Sequence, residues 1–320
     1  MTSQTILITG GAGFIGSHLA KRLIEEGHEV IIIDNFNPYY DPSLKEARIS
    51  HLLKDLPYTL YRIDLEDFEA VQKVFETHAI DLIAHQAAQA GVRYSIENPL
   101  VYGQSNLIGT LNLLELAKQY HIKGFILASS SSVYGDATSF PIKETDETDK
   151  PISLYAATKK SCELLAYSYH HLFELPVTCL RYFTVYGPWG RPDMAIFSFT
   201  KSAFEGTPID VYGQGDMARD FTFIDDLVDG IVKALEKQLP WAVLNLGRGQ
   251  AQPLMDFITS IETHSGKSLQ KNFLDMQPGD VQKTWADITQ AKTLLSFEPK
   301  TSIDEGVQSF VTWYKNFYDV

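Results

Sequence analysis

Cysteine is nearly absent: only Cys162 and Cys179 occur in 320 residues. They show no paired spacing, so neither a disulfide framework nor a thiolate metal site organises the chain, and no metal is expected. Two buried, reduced thiols are the plain expectation. Basic residues are also in short supply, with 27 Lys and Arg against 40 Asp and Glu for a net charge of −13. That balance excludes a broad phosphate-neutralising surface, so nucleic acid is not an expected partner. Any anionic ligand must be held by a few local arginines. No apolar run is long enough to span a bilayer, and the N-terminus enters a strand with no basic and apolar leader. These readings predict a cytoplasmic protein without a membrane partner. Apolar residues are plentiful, at 44%, ample for a core of one large domain with a lobe, or of two domains.

The chemistry begins at Thr9-Gly10-Gly11-Ala12-Gly13-Phe14-Ile15-Gly16. The run Thr5 to Ile8 ahead of it is β-branched and aliphatic, which predicts a buried strand. Behind it Phe14, Ile15, His18, Leu19, Leu23 and Ile24 recur at helical spacing, closed by Gly27. A glycine turn between strand and helix brings backbone close to a pyrophosphate, whose charge then sits on free N–H groups of the helix N-terminus. Two spellings fit, Gly11-x-Gly13-x-x-Gly16 and Gly10-x-x-Gly13-x-x-Gly16. A second apolar run, Val30 to Ile33, ends in Asp34, 18 residues after Gly16, near the ~20 expected of a ribose-binding acid. A carboxylate there would repel a 2′-phosphate, so NAD is favoured over NADP.

Strand and helix patterns alternate over the first 180 residues or so, which predicts an α/β fold with a doubly wound parallel sheet. Residues 35–41 read as a loop over the cofactor, and Leu44 to Leu53 as a short helix. Tyr58 to Ile63 is a strand ending at Asp64, whose acid either meets the adenine or caps the helix Phe68 to Thr77. Asp81 to Ala84 is the next strand; His85 after it reads as a satisfied polar residue rather than a catalytic one. Small residues at Ala87, Ala88, Ala90 and Gly91 leave room for a ribose. Leu100 to Tyr120 and Tyr155 to Phe173 are long helices whose apolar positions extend beyond one stripe, as in a homodimer interface or a thick core. Between them a strand Gly124 to Ala128 ends in Ser129-Ser130-Ser131-Ser132, facing the crevice where such sheets bind ligands. Tyr155 and Lys159 are spaced i, i+4 and share a helix face; an ammonium so close favours the phenolate of a base.

Gly10-x-x-Gly13-x-x-Gly16, Asp34, Asn106-x-x-Gly109-Thr110, Ser130, Tyr155-x-x-x-Lys159 and Arg181-Tyr182-Phe183 together resemble the extended short-chain dehydrogenase/reductase family, in its nucleotide-sugar epimerase and dehydratase branch. Asp34 to Asp41, Leu44 to Arg48, Gln89 to Arg93 and Arg181 to Ala195 are similar to the members that invert C4 of UDP-glucuronate. The resemblance implies NAD as cofactor, a UDP-sugar as substrate and a homodimer formed through the helices around 100–120 and 155–173. It implies Tyr155 as base, Lys159 on the nicotinamide ribose, and Ser130 or Ser132 on the sugar's 4-oxygen. The implied cofactor contacts are Gly10, Gly13, Phe14, Ile15, Gly16, Asp34, Asn35 and Asn37, with Asp64, Leu65, Gln86, Ala87, Ala88, Gln89, Asn106 and Tyr182, beside Tyr155 and Lys159. Substrate contacts would be Arg93, Ser131, Thr184, Arg191, Met194, Arg219 on the diphosphate and Asp280 on the uridine ribose.

Related dehydratases and decarboxylases place carboxylates after the catalytic hydroxyl; Ser130-Ser131-Ser132 offers none, which favours epimerisation. A 4-keto uronic acid is a β-keto acid and loses CO2 unless its carboxylate is pinned out of alignment. Thr184, with Ser131 or Ser132, is the expected anchor, and Arg191 adds charge. Two other readings compete: C4 epimerisation of a neutral UDP-hexose or UDP-N-acetylhexosamine, and a non-catalytic dinucleotide-binding module. Intact Tyr155, Lys159 and Ser130 weigh against the module. Residues 1–183 with 225–250 are expected to form the NAD-binding domain, and 184–224 with 251–320 a smaller C-terminal α/β substrate-binding lobe.

Overall fold

A computed structural model describes residues 3–277 and 279–320. The chain opens with β1 (Thr5–Thr9), α1 (Phe14–Glu25), β2 (Glu29–Ile33), α2 (Pro42–Leu52), β3 (Thr59–Tyr61), α3 (Phe68–Thr77) and β4 (Leu82–His85). Short helices α4 (Val92–Glu97) and α5 (Pro99–Tyr102) lead through a π-helical stretch, Gly103–Ile108, into α6 (Gly109–Gln119). Then come β5 (Gly124–Ser130), α7 (Leu154–Phe173), β6 (Val177–Tyr182), β7 (Thr184–Tyr186), α8 (Ala195–Glu205), β8 (Ile209–Val211), β9 (Ala218–Arg219) and β10 (Phe221–Phe223). The chain continues with α9 (Ile224–Lys237), β11 (Trp241–Leu246), β12 (Gln252–Pro253), α10 (Leu254–Ser265), β13 (Lys271–Phe273), α11 (Thr289–Leu295) and α12 (Ile303–Tyr318).

Seven strands form one parallel sheet in the order β11-β6-β5-β4-β1-β2-β3. Side chains of a strand alternate between faces, and β1 shows it: Ile6 and Ile8 enter one core cluster and Leu7 the other. Leu23 of α1 and Leu227 of α9 cover the first face; Val74 of α3, Leu113 of α6 and Ala166 of α7 cover the second. Because both faces are covered, the strands read as unbroken apolar runs. Strand order reverses between β1 and β4, which opens a crevice at the strands' carboxyl ends. The pairs β10–β7, β12–β9 and β13–β8 lie outside this sheet, while β11 returns to it beside β6.

Two expectations change. The helix foreseen over Leu100 to Tyr120 is interrupted by the π-helical stretch, whose extra residue per turn swings buried Asn106 inward. The strand foreseen over Tyr58 to Ile63 shrinks to three residues at the sheet edge.

Candidate active site

One cavity of about 990 Å3 runs along the carboxyl ends of the sheet and on between the smaller strand pairs. Its cofactor end is built by the glycine turn. Gly10 has φ +69°, and a Cβ there would meet the Ala87 nitrogen at 2.7 Å. A Cβ on Gly16 would lie 2.2 Å from the Gly10 carbonyl oxygen, so helix and turn touch only through hydrogen. Gly11 serves the core instead, because its Cβ would strike the Ile32 side chain at 2.5 Å, and it does not line the cavity. The spelling Gly10-x-x-Gly13-x-x-Gly16 is therefore the one that shapes the pocket. Gly13 caps α1 without a side-chain hydrogen bond, which leaves N–H groups free for an anion.

Asp34 at the end of β2 accepts from the N–H of Ala12 (3.0 Å) and of Phe36 (2.8 Å) and lines the cavity with Phe14, Ile15, Asn35, Asn37, Asp64 and Leu65. Asn35 donates to Asp64, whereas α3 is capped by Asp67, which accepts from Ala70 N–H at 3.0 Å. The capping alternative for Asp64 is thus overturned. Gln86 accepts from the Tyr182 hydroxyl at 2.9 Å, while its own Nε2 is buried in the cavity wall with no protein partner. An unpaired buried donor beside a glycine cradle and a ribose-spaced carboxylate suits a dinucleotide.

Ala87, Ala88 and Gln89 also line the cavity, but Asn106 does not. Its side chain accepts from Gln89 N–H (2.7 Å) and donates to Gln89 O (3.1 Å) and Thr158 Oγ1 (3.0 Å). It braces the Gln89 backbone rather than facing a ligand, which corrects the expectation for it. His85 bridges Thr9 Oγ1 (2.7 Å) and Thr110 Oγ1 (2.9 Å), and burial with the nearby Lys159 charge lowers its pKa to about 3. It is a satisfied core residue, as foreseen.

At the centre, β5 ends in the serine shelf. Ser130 donates to Ser132 Oγ at 3.1 Å and accepts from Ser132 N–H, so their hydroxyls share one corner with Ser131 and Tyr155 in the cavity wall. The Tyr155 ring meets Tyr102 edge-on at 6.2 Å between centroids, and Tyr102 is pinned by bonds to Ala90 O and Gly91 O. Lys159 is buried and donates to Ala128 O at 2.7 Å.

Beneath the shelf Ser129 donates to Glu163 at 2.6 Å, and Glu163 holds Arg181 in a two-pronged pair, both contacts 2.8 Å. Burial alone would raise the Glu163 carboxyl, yet Arg181's hydrogen bonds and charge outweigh it and hold the group below the ordinary range.

Thr184, Arg191, Met194, Arg219, Asp280 and Arg93 all line the far half of the cavity. Among the described residues Arg219 donates to the carbonyls of Ala218 and Gln282, and desolvation lowers its pKa; a half-buried cation held by neutral oxygens suits a phosphate. Arg191 is less free than expected, because Asp193 binds it at both prongs and also accepts from Tyr39. Asp280 is likewise engaged by Arg93 at 3.2 Å.

Three supporting residues were not foreseen. Glu163 meets Arg181 only across the fold, and Asp220 is hidden directly after Arg219. Asp220 accepts from the N–H groups of Arg248 (2.7 Å), Gly249 (3.0 Å) and Ala286 (3.0 Å), and its carbonyl accepts from Thr184 N–H. Arg48, the third, sits under the glycine turn.

The chain matches the NAD dependent epimerase/dehydratase family over residues 6–247. It is 47% identical to a probable UDP-glucuronate 4-epimerase of Rhizobium meliloti (strain 1021), over 98% of this chain and 97% of that protein. It is 47% identical to a UDP-glucuronate 4-epimerase of Thermodesulfobacterium geofontis, over 97% and 95% respectively. Its fold matches the crystal structure of the UDP-glucuronic acid 4-epimerase of Bacillus cereus, in complex with UDP-glucuronic acid and NAD. The TM-score is 0.92 and the identity 38%, over 98% of this chain and 100% of that one.

Proposed function

Since the chain belongs to the NAD dependent epimerase/dehydratase family, we propose that it inverts C4 of UDP-glucuronate to give UDP-galacturonate through a 4-keto sugar. The observation that carries this reading is a reaction corner of Tyr155, Ser130, Ser131 and Ser132, without a carboxylate among them, in one cavity with the glycine cradle and Arg219. NAD, when bound, supplies the oxidant that takes hydride from C4 and returns it within one turnover, so it need not leave.

The residues then divide the work. Tyr155 takes the proton of the 4-hydroxyl and, once the 4-keto sugar has turned over and received hydride on its other face, returns that proton to the same 4-oxygen. Ser130 or Ser132 donates to the 4-oxygen; while Ser130 gives its single O–H to Ser132, the Ser132 hydroxyl is the one left to donate. Lys159 has one of three ammonium donors on Ala128 O, which leaves two for the ribose beside Tyr155. Thr184, with Ser131 or Ser132, holds the uronate carboxylate away from the carbonyl π system and so keeps CO2 in place. Arg219 meets the diphosphate. The Asp280–Arg93 pair marks where the uridine ribose would lie, its hydroxyls competing for a carboxylate that a cation already orients.

The division into 1–183 plus 225–250 for NAD and 184–224 plus 251–320 for the nucleotide-sugar is supported by β11 rejoining the parallel sheet. A homodimer is supported by exposed apolar side chains on α5, the π-helical stretch, α6 and α7, among them Leu100, Ile108, Leu111, Leu164, Tyr167 and Leu172. A face of that kind favours burial against a second copy. Among the described residues no helix is long and apolar enough to cross a membrane, and the two unpaired thiols are buried; both fit the cytoplasm.

The test is NMR of the anomeric protons after incubation with UDP-glucuronate. New UDP-galacturonate signals are expected, and no conversion of any UDP-sugar would refute the assignment. Tyr155→Phe should retain NAD and lose roughly 10²- to 10⁴-fold in turnover, the span of acid–base catalysis. Substantial activity in that variant would remove Tyr155 from its role.

A further inference from the structure

Arg48 on α2 is fully buried, a rare position for a guanidinium unless something specific holds it. All four of its hydrogen bonds go to neutral oxygens. Nε donates to Trp189 O (2.9 Å), one terminal nitrogen to Gly190 O (3.2 Å), and the other to Ala12 O (3.3 Å) and the Tyr40 hydroxyl (2.5 Å). Tyr40 lines the cavity, and the other partners lie beside it: Ala12 in the turn at its cofactor end, Trp189 and Gly190 next to Arg191 at the other. Ala12 is the centre of the glycine turn, and its N–H is held by Asp34 at 3.0 Å. Trp189 and Gly190 directly precede Arg191, which lines the sugar side with Asp193 and Met194. Packing alone does not explain this fork. A leucine or methionine would fill the volume without burying a charge, whereas a planar five-donor group can tie two separate backbone segments at once.

The tied loop also has something to be held against. Trp189 adopts φ +64°, a left-handed conformation that is strained for a bulky side chain, and its carbonyl is the one Nε takes. From there the order passes outward: Met194 N–H bonds Arg191 O at 3.2 Å, Arg191 pairs with Asp193, and Asp193 accepts from Tyr39 at 3.2 Å. A ligand that settles the turn at Ala12 therefore settles Gly190 through the same cation.

We infer that Arg48 is a positioning residue that couples the two subsites, so that NAD on the glycine turn organises loop 187–194 for the nucleotide-sugar. This rests on the subsite assignment given above. Coupling must be reciprocal in the two affinities.

Three measurements test it on the full chain, stripped of NAD and then reloaded. Hydrogen exchange on the wild type should slow at the amides of 187–194 when NAD alone is added; unchanged exchange there overturns the inference. Calorimetric titration with UDP should give a dissociation constant roughly 5- to 20-fold lower with NAD than without, at the lower end of ordinary allosteric couplings. In Arg48→Lys, which keeps the charge but loses the fork, that ratio should fall towards one; a ratio as large as the wild type's overturns the inference. Arg48→Lys should also raise KM for UDP-glucuronate about tenfold with kcat within about threefold, matching a lost coupling of that size. Lower kcat at unchanged KM would count against it. If Arg48→Lys fails to fold, the wild-type exchange result decides alone. Intact coupling without any sugar conversion would sink the proposed reaction and leave Arg48's role standing.

Discussion

Replacing Glu163 by Gln keeps the shape of the side chain and removes its charge, directly under the serine shelf. In the native fold Glu163 and Arg181 are each 4% exposed and joined by two 2.8 Å contacts. After the change an amide N–H faces guanidinium N–H at one prong, and Arg181 keeps the amide oxygen at the other, the Tyr134 hydroxyl (2.9 Å) and Glu144 O (3.1 Å). Breaking a buried pair from one side typically costs about 3–5 kcal/mol; the retained neutral partners place this case near the lower end, about 3 kcal/mol. That is a large share of a total stability of roughly 5–15 kcal/mol. Urea unfolding should show an earlier midpoint at an unchanged slope. Removing both charges with Glu163→Met and Arg181→Met together should restore much of the loss, because the cation left behind, Lys160, is partly exposed to water rather than buried. The same pair fixes a pH dependence. The folded carboxyl lies below the ordinary 4.5, so its contribution is complete above that value and is lost as pH falls below it. A loss under about 1 kcal/mol in Glu163→Gln, the worth of an exposed pair, would refute the argument.

Gly16→Ala should abolish NAD retention and destabilise the fold, since the new methyl would lie 2.2 Å from the Gly10 carbonyl; a protein isolated with full NAD would contradict this. Thr184→Val should release CO2 and form UDP-pentose from UDP-glucuronate, read by mass spectrometry; unchanged product and unchanged KM would remove Thr184 from the carboxylate. Burial pushes the Asp220 carboxyl up to about 6 against the N–H groups that it accepts. Its buried charge therefore disfavours the fold increasingly as pH rises from the ordinary 3.8 to about 6, so acid does not unfold the protein through this group. Below about pH 6 the protonated oxygen ceases to accept, turn 248–250 loosens, and KM for UDP-glucuronate should climb. Asp220→Asn should show a raised KM at every pH without that step; a wild-type KM flat across about pH 5 to 7 would contradict it.

How much of this was legible in the sequence depended on whether the determining contact was local. Strands β1, β2, β4 and β5 declared themselves because burial on both faces turns a parallel strand into an apolar run. The choice between two glycine spellings could not be made from spacing, because Gly10 and Gly11 are adjacent; Ile32 decides it by occupying the space beside Gly11. Asn106 matched a motif, yet its inward turn depends on the π-helical stretch, which leaves apolar spacing unchanged. Glu163 follows Tyr155 within a helical pattern and carries no mark of its own; its meaning comes from Arg181 on a neighbouring strand. Strands β9 and β12 have two residues each, too few for any period to show.

The carboxylates around the cavity bear on why the reaction would stop at epimerisation. Decarboxylation of the 4-keto acid is held off by how the carboxylate is pinned, whereas elimination needs an acid or base besides Tyr155, and acids are not scarce near this site. They are committed. Glu163 belongs to Arg181 and Ser129, Asp193 to Arg191 and Tyr39, and Asp280 to Arg93. Asp220 belongs to backbone N–H groups, and Asp34 to those of Ala12 and Phe36. Glu163 and Asp193, whose guanidinium partners hold their carboxyls below the ordinary range, are poor bases. What remains at the reaction corner are hydroxyls, which orient an oxygen and cannot take a second proton near neutral pH. Introducing an uncommitted carboxylate, as in Ser131→Asp, would leave the cradle unaltered and set a like charge against the uronate carboxylate at its anchor, so CO2 release and UDP-pentose should appear by mass spectrometry; unchanged product would contradict this.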